Sequence, residues 1–381
     1  MNRFLSHARQ LDPWIVAPAV ALTLVGLANL HALALAGATV SSRLVASQLA
    51  SAFVGLAACA GTFSLARSDR HRALAWVFPV ALFAVLLTLA GFAAPLRAVR
   101  RWIALGPWLV QPSEFLKLAV VLAVARWFGD APLLARSLWH TLTGLVGLVL
   151  VPVALVLAQP DLGTSLLFVV IAASTLTVTP FARRSLVALV GLMVVPAIVF
   201  ARLLVKPYQL ARLEAFLHPE AYPGASWQAS QALHALSAGR WFGSEPSWLA
   251  RGHLPDAHTD FALVAWASAR GLAGVFVVLA LFAVLVHRLF AVARETTDRY
   301  DLAVTTGVGA LVFWQVALNA AMELGLTPVV GVPLPLVSYG GSNLVTTLAA
   351  LGLALGVHAR VRTNAAPEAP AARPAYRGAT A

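Results

Sequence analysis

The 381-residue chain has a single cysteine, and only 11% of its residues are charged. Each scarcity excludes something. A lone thiol, Cys59, rules out any disulfide within the chain, so no cystine framework holds it together. Charged residues at less than half the roughly 25% usual in soluble domains exclude a water-soluble globule, and 60% of the chain is hydrophobic. Acidic residues are scarcer than basic ones, 15 against 27, which gives a formal net charge of +12. In a polar chain that imbalance would suggest nucleic acid. In one this apolar it first reports orientation in a bilayer, and no nucleic-acid partner is expected. The chain has no soluble domain and no internal repeat, and its first apolar run lacks a small-residue cleavage pattern, so that run is expected to be retained as a span.

What is present is a succession of apolar runs. A bilayer core of about 30 Å needs roughly 20 apolar residues per helix, and ten runs near that length are expected at 14–36, 44–66, 73–94, 113–128, 141–158, 163–180, 185–205, 260–286, 302–325 and 343–358. The expected fold is an all-α polytopic integral membrane protein: one transmembrane domain over 1–362 and a disordered Ala- and Pro-rich tail, 363–381. Threaded alternately, the runs place sixteen basic residues on one side and eight on the other. The excess marks the cytoplasmic side, which puts both termini there and the long loop 206–259, between spans seven and eight, outside.

Ionisable groups inside or at the ends of spans are costly and are functional candidates by default. Five qualify: Glu114, Lys117, Asp161, Arg270 and Glu323. Glu114 and Lys117 are three apart and can pair on one helix face. Structurally, Ser113 would cap that helix and Glu114 would complement its dipole; functionally, Lys117 faces a cavity and suits an anionic headgroup. Upstream stand Arg97, Arg100 and Arg101 beside Trp102 and Trp108. The tryptophans read as interface anchors, whereas the guanidinium forks can clamp phosphate. Asp161 follows a proline and precedes a helix, the place of an N-cap.

The long loop ends in LPDAHTDF, residues 254–261. A metal set of His253, Asp256, His258 and Asp260 can be written, but its spacing matches no strong zinc pattern. Asp260 is the sharper candidate, either a cap for the next helix or a carboxylate acting as general base. The break at 328–343, PVVGVPLPLVSYGGSN, has three prolines, three glycines and no charge. It must be non-helical backbone held by protein near the membrane or lining a cavity, either as a structural wedge or as a substrate contact. Its polar handles are Ser338, Tyr339 and Ser342.

The blocks RRWIALG (100–106), QPSEFLKLA (111–119), QPDLGT (159–164), YQLARLEAFLHPE (208–220), LPDAHTDF and VGVPLPLVSYGGS (330–342) together resemble the signature blocks of the SEDS family of shape, elongation, division and sporulation proteins, with the last block in its RodA-like form. The resemblance implies a bacterial inner-membrane peptidoglycan glycosyltransferase that polymerises lipid II into a growing glycan strand at the extracytoplasmic face, with a class B penicillin-binding protein as transpeptidase partner. By motif, Asp260 matches the essential carboxylate, Arg101 the arginine before Trp, Glu114 and Lys117 the pair in QPSEFLK, and Asp161 the aspartate of QPDLG. Substrate contacts are expected at Arg101, Lys117, Glu114, Asp161, Ser338, Tyr339 and Ser342. No built-in cofactor is implied, though a divalent cation, Mg or Mn, could bridge diphosphate and Asp260. The chain departs from the pattern after HTDF, where two usual glutamates read Ser268 and Ala269 and Arg270 follows. That change makes Glu323 a candidate partner for Arg270. Two other readings stand beside the enzyme: a flippase of the lipid-linked precursor, and a non-catalytic scaffold for the transpeptidase.

Overall fold

In hydrocarbon every backbone N–H and C=O must be satisfied within the segment, so apolar runs become helices. The computed structural model describes residues 11–36, 40–92, 94–96, 99–106, 108–129, 138–179, 207–243 and 254–365. Helix α1 (Pro13–Leu35) starts on Asp12, whose carboxylate accepts the Trp14 N–H at 2.9 Å, with proline in the first turn. Next come α2 (Ser42–Arg67) and α3 (Val77–Leu87), the latter entered through a 3-10 turn and left through a π turn. Helix α4 (Pro112–Val124) continues as a π turn to Gly129. Helices α5 (Leu138–Leu145) and α6 (Val151–Ala158) are one apolar rod with a π turn between them, and α7 (Leu162–Thr177) follows. The remaining helices are α8 (Pro207–Leu217), α9 (Pro223–Ala238), α10 (Ala262–Glu295), α11 (Arg299–Glu323) and α12 (Gly341–Ala365).

Seven stretches among the described residues are long and apolar enough to cross a membrane. They correspond to the expected runs one, two, three, five, eight, nine and ten. The sixth run is the shorter α7, of 16 residues, and the fourth is α4 with its π turn, which carries Glu114, Lys117 and Arg126. The seventh, 185–205, lies outside the described residues, as does the tail beyond 365.

Four expectations change. The segment before α4 is not a plain loop: strands β1 (Ala94–Leu96), β2 (Val99–Leu105) and β3 (Trp108–Val110) form an antiparallel sheet, so the fold is not purely helical. Valine, tryptophan, isoleucine and leucine favour the pleat, and Gly106, at φ 62°, turns β2 into β3 with Leu105 opposite Trp108. The long loop contains two helices, α8 and α9. Helix α10 runs to Glu295 and not 286, because Arg288 is neutralised by Asp12 at 2.5 Å and Glu295 at 2.7 Å. Helix α12 continues to Ala365, beyond the expected start of the tail.

Helices α11 and α12 form the centre, with 72% and 83% of their spanning windows buried against 17% for α2. Gly352 and Gly356 on α12 admit the α2 backbone: a Cβ on Gly352 would lie 2.3 Å from the Cys59 carbonyl oxygen. At the end of the bundle opposite the start of α12, ion pairs tie the helix termini together. His71 Nε2 lies 2.8 Å from Asp301 Oδ1, Arg360 contacts both Asp301 and Asp69, and Arg72 bonds Asp298 at 2.6 Å.

Candidate active site

The Pro- and Gly-rich segment between α11 and α12 is non-helical, as its composition requires, and most of 332–338 is buried. Its backbone groups therefore need partners from elsewhere, and four elements supply them, with a fifth bonded to Ser342 just beyond it. The Val329 carbonyl accepts from Arg212 Nη1 of α8 at 3.0 Å, and the Val332 carbonyl from Asn319 Nδ2 of α11 at 2.9 Å. Gln48 of α2 donates to the Ser338 carbonyl and accepts the Gly340 N–H, both at 3.2 Å. The Tyr339 N–H donates to the His258 carbonyl at 2.8 Å, and the Gln111 N–H donates to Ser342 Oγ at 2.9 Å. Gln48, the lone glutamine in the apolar run of α2, is the one sequence signal of this role.

Around this segment stand the candidate residues. Asp161 caps α7, accepting the Thr164 N–H at 3.1 Å, and also faces Arg101 Nη1 at 3.3 Å. Arg101 donates further to the carbonyls of Gln159, at 2.8 Å, and Pro160. Its guanidinium thus clamps β2 to the α6–α7 turn, and that turn is one residue from Gly163, where a Cβ would lie 2.6 Å from the Val330 carbonyl oxygen. Arg100 side-chain placement and Arg97 lie outside the described residues.

On the other flank, Lys117 Nζ lies 2.8 Å from Glu114 Oε2, and Asn343 Nδ2 donates to the same carboxylate oxygen at 2.8 Å. Both charges are buried, at 1% and 3% exposure. Beyond the Glu114 carboxylate, the ammonium has no hydrogen-bond partner among the described residues. Ser113 is not the cap of α4; Gln111 occupies that position, and the Ser113 hydroxyl accepts from Gln111 Nε2 at 3.1 Å. Ser338 is also turned inward: its hydroxyl accepts the Leu334 N–H at 2.9 Å, which closes the segment on itself. Tyr339 is half-buried, with its ring 5.8 Å from that of His258.

Asp260 sits in the turn before α10. The Asp256 carbonyl gathers the N–H groups of Thr259, Asp260 and Phe261 at 3.0–3.3 Å, and the Asp260 carbonyl accepts from Asn319 Nδ2 at 2.9 Å. Asp260 is not the N-cap; Phe261 is, and it has no side-chain oxygen to offer. The capping acceptor comes from another helix: Glu323 takes the N–H of Leu263 at 3.2 Å and of Val264 at 2.5 Å. That arrangement overturns the expected Arg270–Glu323 pair. Arg270 is exposed and stacks over Trp266, 5.6 Å from the ring centre, while Glu323 is 1% exposed. Asp260 Oδ2 lies 3.4 Å from where a Cβ on Gly331 would be, so the glycine leaves the carboxylate's side of the segment open.

Helix α10 is broken at Gly271 (φ 69°, ψ −173°). The break frees two N–H groups, and the turn after α9 takes them: Leu272 donates to the Arg240 carbonyl at 2.9 Å and Ala273 to that of Trp241 at 3.1 Å. The short helix 262–270 that follows Asp260 is thereby tied to the long loop. No cluster of three or more His, Cys, Asp or Glu suited to a metal occurs among the described residues, and His253 lies outside them.

Around one non-helical segment, then, the fold gathers a carboxylate at Asp260, a buried ion pair at Glu114 and Lys117, and the Arg101–Asp161 clamp. The chain is similar to known proteins over most of its length. A probable peptidoglycan glycosyltransferase FtsW from Aromatoleum aromaticum is 33% identical over 375 residues, covering 93% of this chain and 89% of that protein. The peptidoglycan glycosyltransferase MrdB of Escherichia coli K12 is 36% identical over 284 residues, covering 72% and 75%. Among solved structures, RodA of Thermus thermophilus, a rod shape determining protein, superposes with a TM-score of 0.66 at 29% identity, covering 91% of this chain and 96% of that one. A chain solved in work on the coordination of polymerization and crosslinking by a peptidoglycan synthase complex gives 0.76 at 30% identity, covering 91% and 97%. The family described as Cell cycle protein (FtsW, RodA, SpoVE) matches residues 10–363, and the chain belongs to that family.

Proposed function

We propose that this chain is a peptidoglycan glycosyltransferase that polymerises lipid II, with Asp260 as general base. The observation that carries the reading is the placing of opposite chemistries about one break: Asp260 against Gly331 within it, and, at the start of α12 just after it, Asn343 donating to the Glu114 carboxylate that pairs with Lys117. The 4-hydroxyl of one lipid-linked disaccharide attacks the anomeric carbon of another. Its proton passes to Asp260, the glycosidic C–O bond forms, and the bond to undecaprenyl diphosphate breaks. A β-link made from an α-linked donor is an inversion, which needs one base and no second carboxylate as nucleophile.

The departing diphosphate already carries negative charge and needs electrostatic stabilisation more than a proton. Lys117 supplies it, held in place by Glu114. Arg101, engaged with the 159–161 turn, acts by fixing β2 and Asp161 beside the segment. Tyr339 and Ser342 are the further substrate contacts of this reading. The described residues fit a divalent cation only in a mode where the substrate's phosphates provide most ligands; Asp260 would hold it, and it would offset diphosphate charge.

The protein belongs in the bacterial inner membrane with both termini cytoplasmic and the site at the outer face, a reading supported by the excess of basic residues on one side of the threaded spans. A class B penicillin-binding protein that crosslinks the product is the partner this implies, and the similarity to a chain from a peptidoglycan synthase complex supports it. Purified protein incubated with lipid II tests the reading. Glycan polymer from the wild type and none from Asp260→Asn is expected, and normal polymer from that variant refutes the base assignment. Transbilayer movement of lipid II without polymer would favour a transporter, and neither activity with retained transpeptidase binding a scaffold.

A further inference from the structure

Glu323 is a carboxylate in a place that disfavours one. It ends α11, where the helix dipole is negative, it is 1% exposed, and Asp260 is close enough to interact with it electrostatically. What compensates is the start of α10, whose first free N–H groups both bond its two oxygens, 3.2 and 2.5 Å away. One turn earlier on the same face of α11, Asn319 Nδ2 bridges the carbonyls of Asp260 and Val332, both at 2.9 Å. Together the two side chains fix the Asp260 turn from below and from the side.

We propose that Glu323 is a positioning residue for the glycosyl transfer, holding the turn that carries Asp260 in register with the Gly331 backbone. It touches no substrate. By capping α10 from a neighbouring helix it removes that demand from Asp260, and it spans two elements 60 residues apart whose relative placement decides where the base stands. The proposal rests on Asp260 being the base. Glutamine in its place keeps the shape but sets an NH2 against one of the two N–H donors, so one bond becomes a repulsion.

The test is a double-mutant cycle on purified protein with lipid II, reading kcat and KM separately beside the melting temperature. Glu323→Gln is expected to lower kcat at least 10-fold with KM within about twofold and only a modest fall in melting temperature that leaves the protein folded at the assay temperature; Glu323→Asp is expected to recover part of kcat. Combined with Asp260→Asn, which is expected to leave only a small residual turnover, Glu323→Gln is expected to cost nothing further, because a misplaced base and a missing base are the same loss. Wild-type kcat in Glu323→Gln, with Asp260→Asn inactive, overturns the positioning role alone. A fall in melting temperature that accounts for the lost activity, or a further loss of residual turnover in the double variant, makes Glu323 merely structural and also overturns it. Full activity in Asp260→Asn removes the base assignment and this proposal with it.

Discussion

Replacing Gly271 by alanine attacks the joint between the long loop and the half-helix behind Asp260. Gly271 adopts φ 69°, ψ −173°, a region essentially closed to side chains, where a residue with a Cβ is strained by about 1–3 kcal/mol. The added Cβ would also lie 2.3 Å from the carbonyl carbon and oxygen of Trp241 and 2.4 Å from the Phe242 nitrogen. Those are backbone atoms and cannot rotate away, so the turn after α9 must retreat. Its retreat breaks the Leu272 and Ala273 bonds to Arg240 and Trp241, and each orphaned buried N–H costs about 1–3 kcal/mol. The sum is roughly 3–9 kcal/mol, comparable with the whole stability of many domains. Thermal unfolding in detergent should show a large fall in melting temperature, and limited proteolysis should cut faster within 207–243. Gly61→Ala on α2 is the control, because a Cβ there meets nothing within 4 Å and helix propensity predicts about 1 kcal/mol of gain. A Gly271→Ala protein with wild-type melting temperature and wild-type proteolysis would refute the reasoning.

Two further variants separate charge chemistry from fold. Lys117→Met leaves Glu114 buried without its cation, a loss of about 3–5 kcal/mol; adding Glu114→Gln should restore the melting temperature but not polymer synthesis, and a fully active double variant would show that Lys117 is not needed. At the opposite end of the bundle, Asp301→Ala strands the buried His71 and takes from Arg360 one of its two carboxylates, leaving Asp69, which should lower the melting temperature by an amount corresponding to about 3–5 kcal/mol while the protein that remains folded keeps its kcat; an unchanged melting temperature would show that the network does not hold the helix ends.

Most spans were legible because spanning length and apolar composition are local properties, and Asp12, Asp161 and the Pro/Gly break behaved as local chemistry dictates. What the sequence hid was cooperative over distance. The end of α10 lies beyond the apolar run 260–286 because Asp12, at the start of another helix, neutralises Arg288. Glu323 was matched to Arg270 by charge alone; the acceptor that α10 needed was invisible while Asp260 stood ready as its presumed cap. The sheet at 94–110 was obscured by its prolines and by arginines that suggested a loop. The break at Gly271 shows in no pattern, since its missing bonds are made by a loop turn from elsewhere in the chain.

The segment 327–340 draws its bonds from α2, α8, α11, the turn at His258 and, through Ser342, the entry to α4. A Cβ on Gly26 of α1 would already collide with it, 2.5 Å from the Val337 carbonyl oxygen. No stretch shorter than 26–343 therefore contains the site, and there is no minimal fragment to excise. Grafting this segment from a relative would import a backbone without the donors that seat it, so in this protein the transferable unit is the whole bundle.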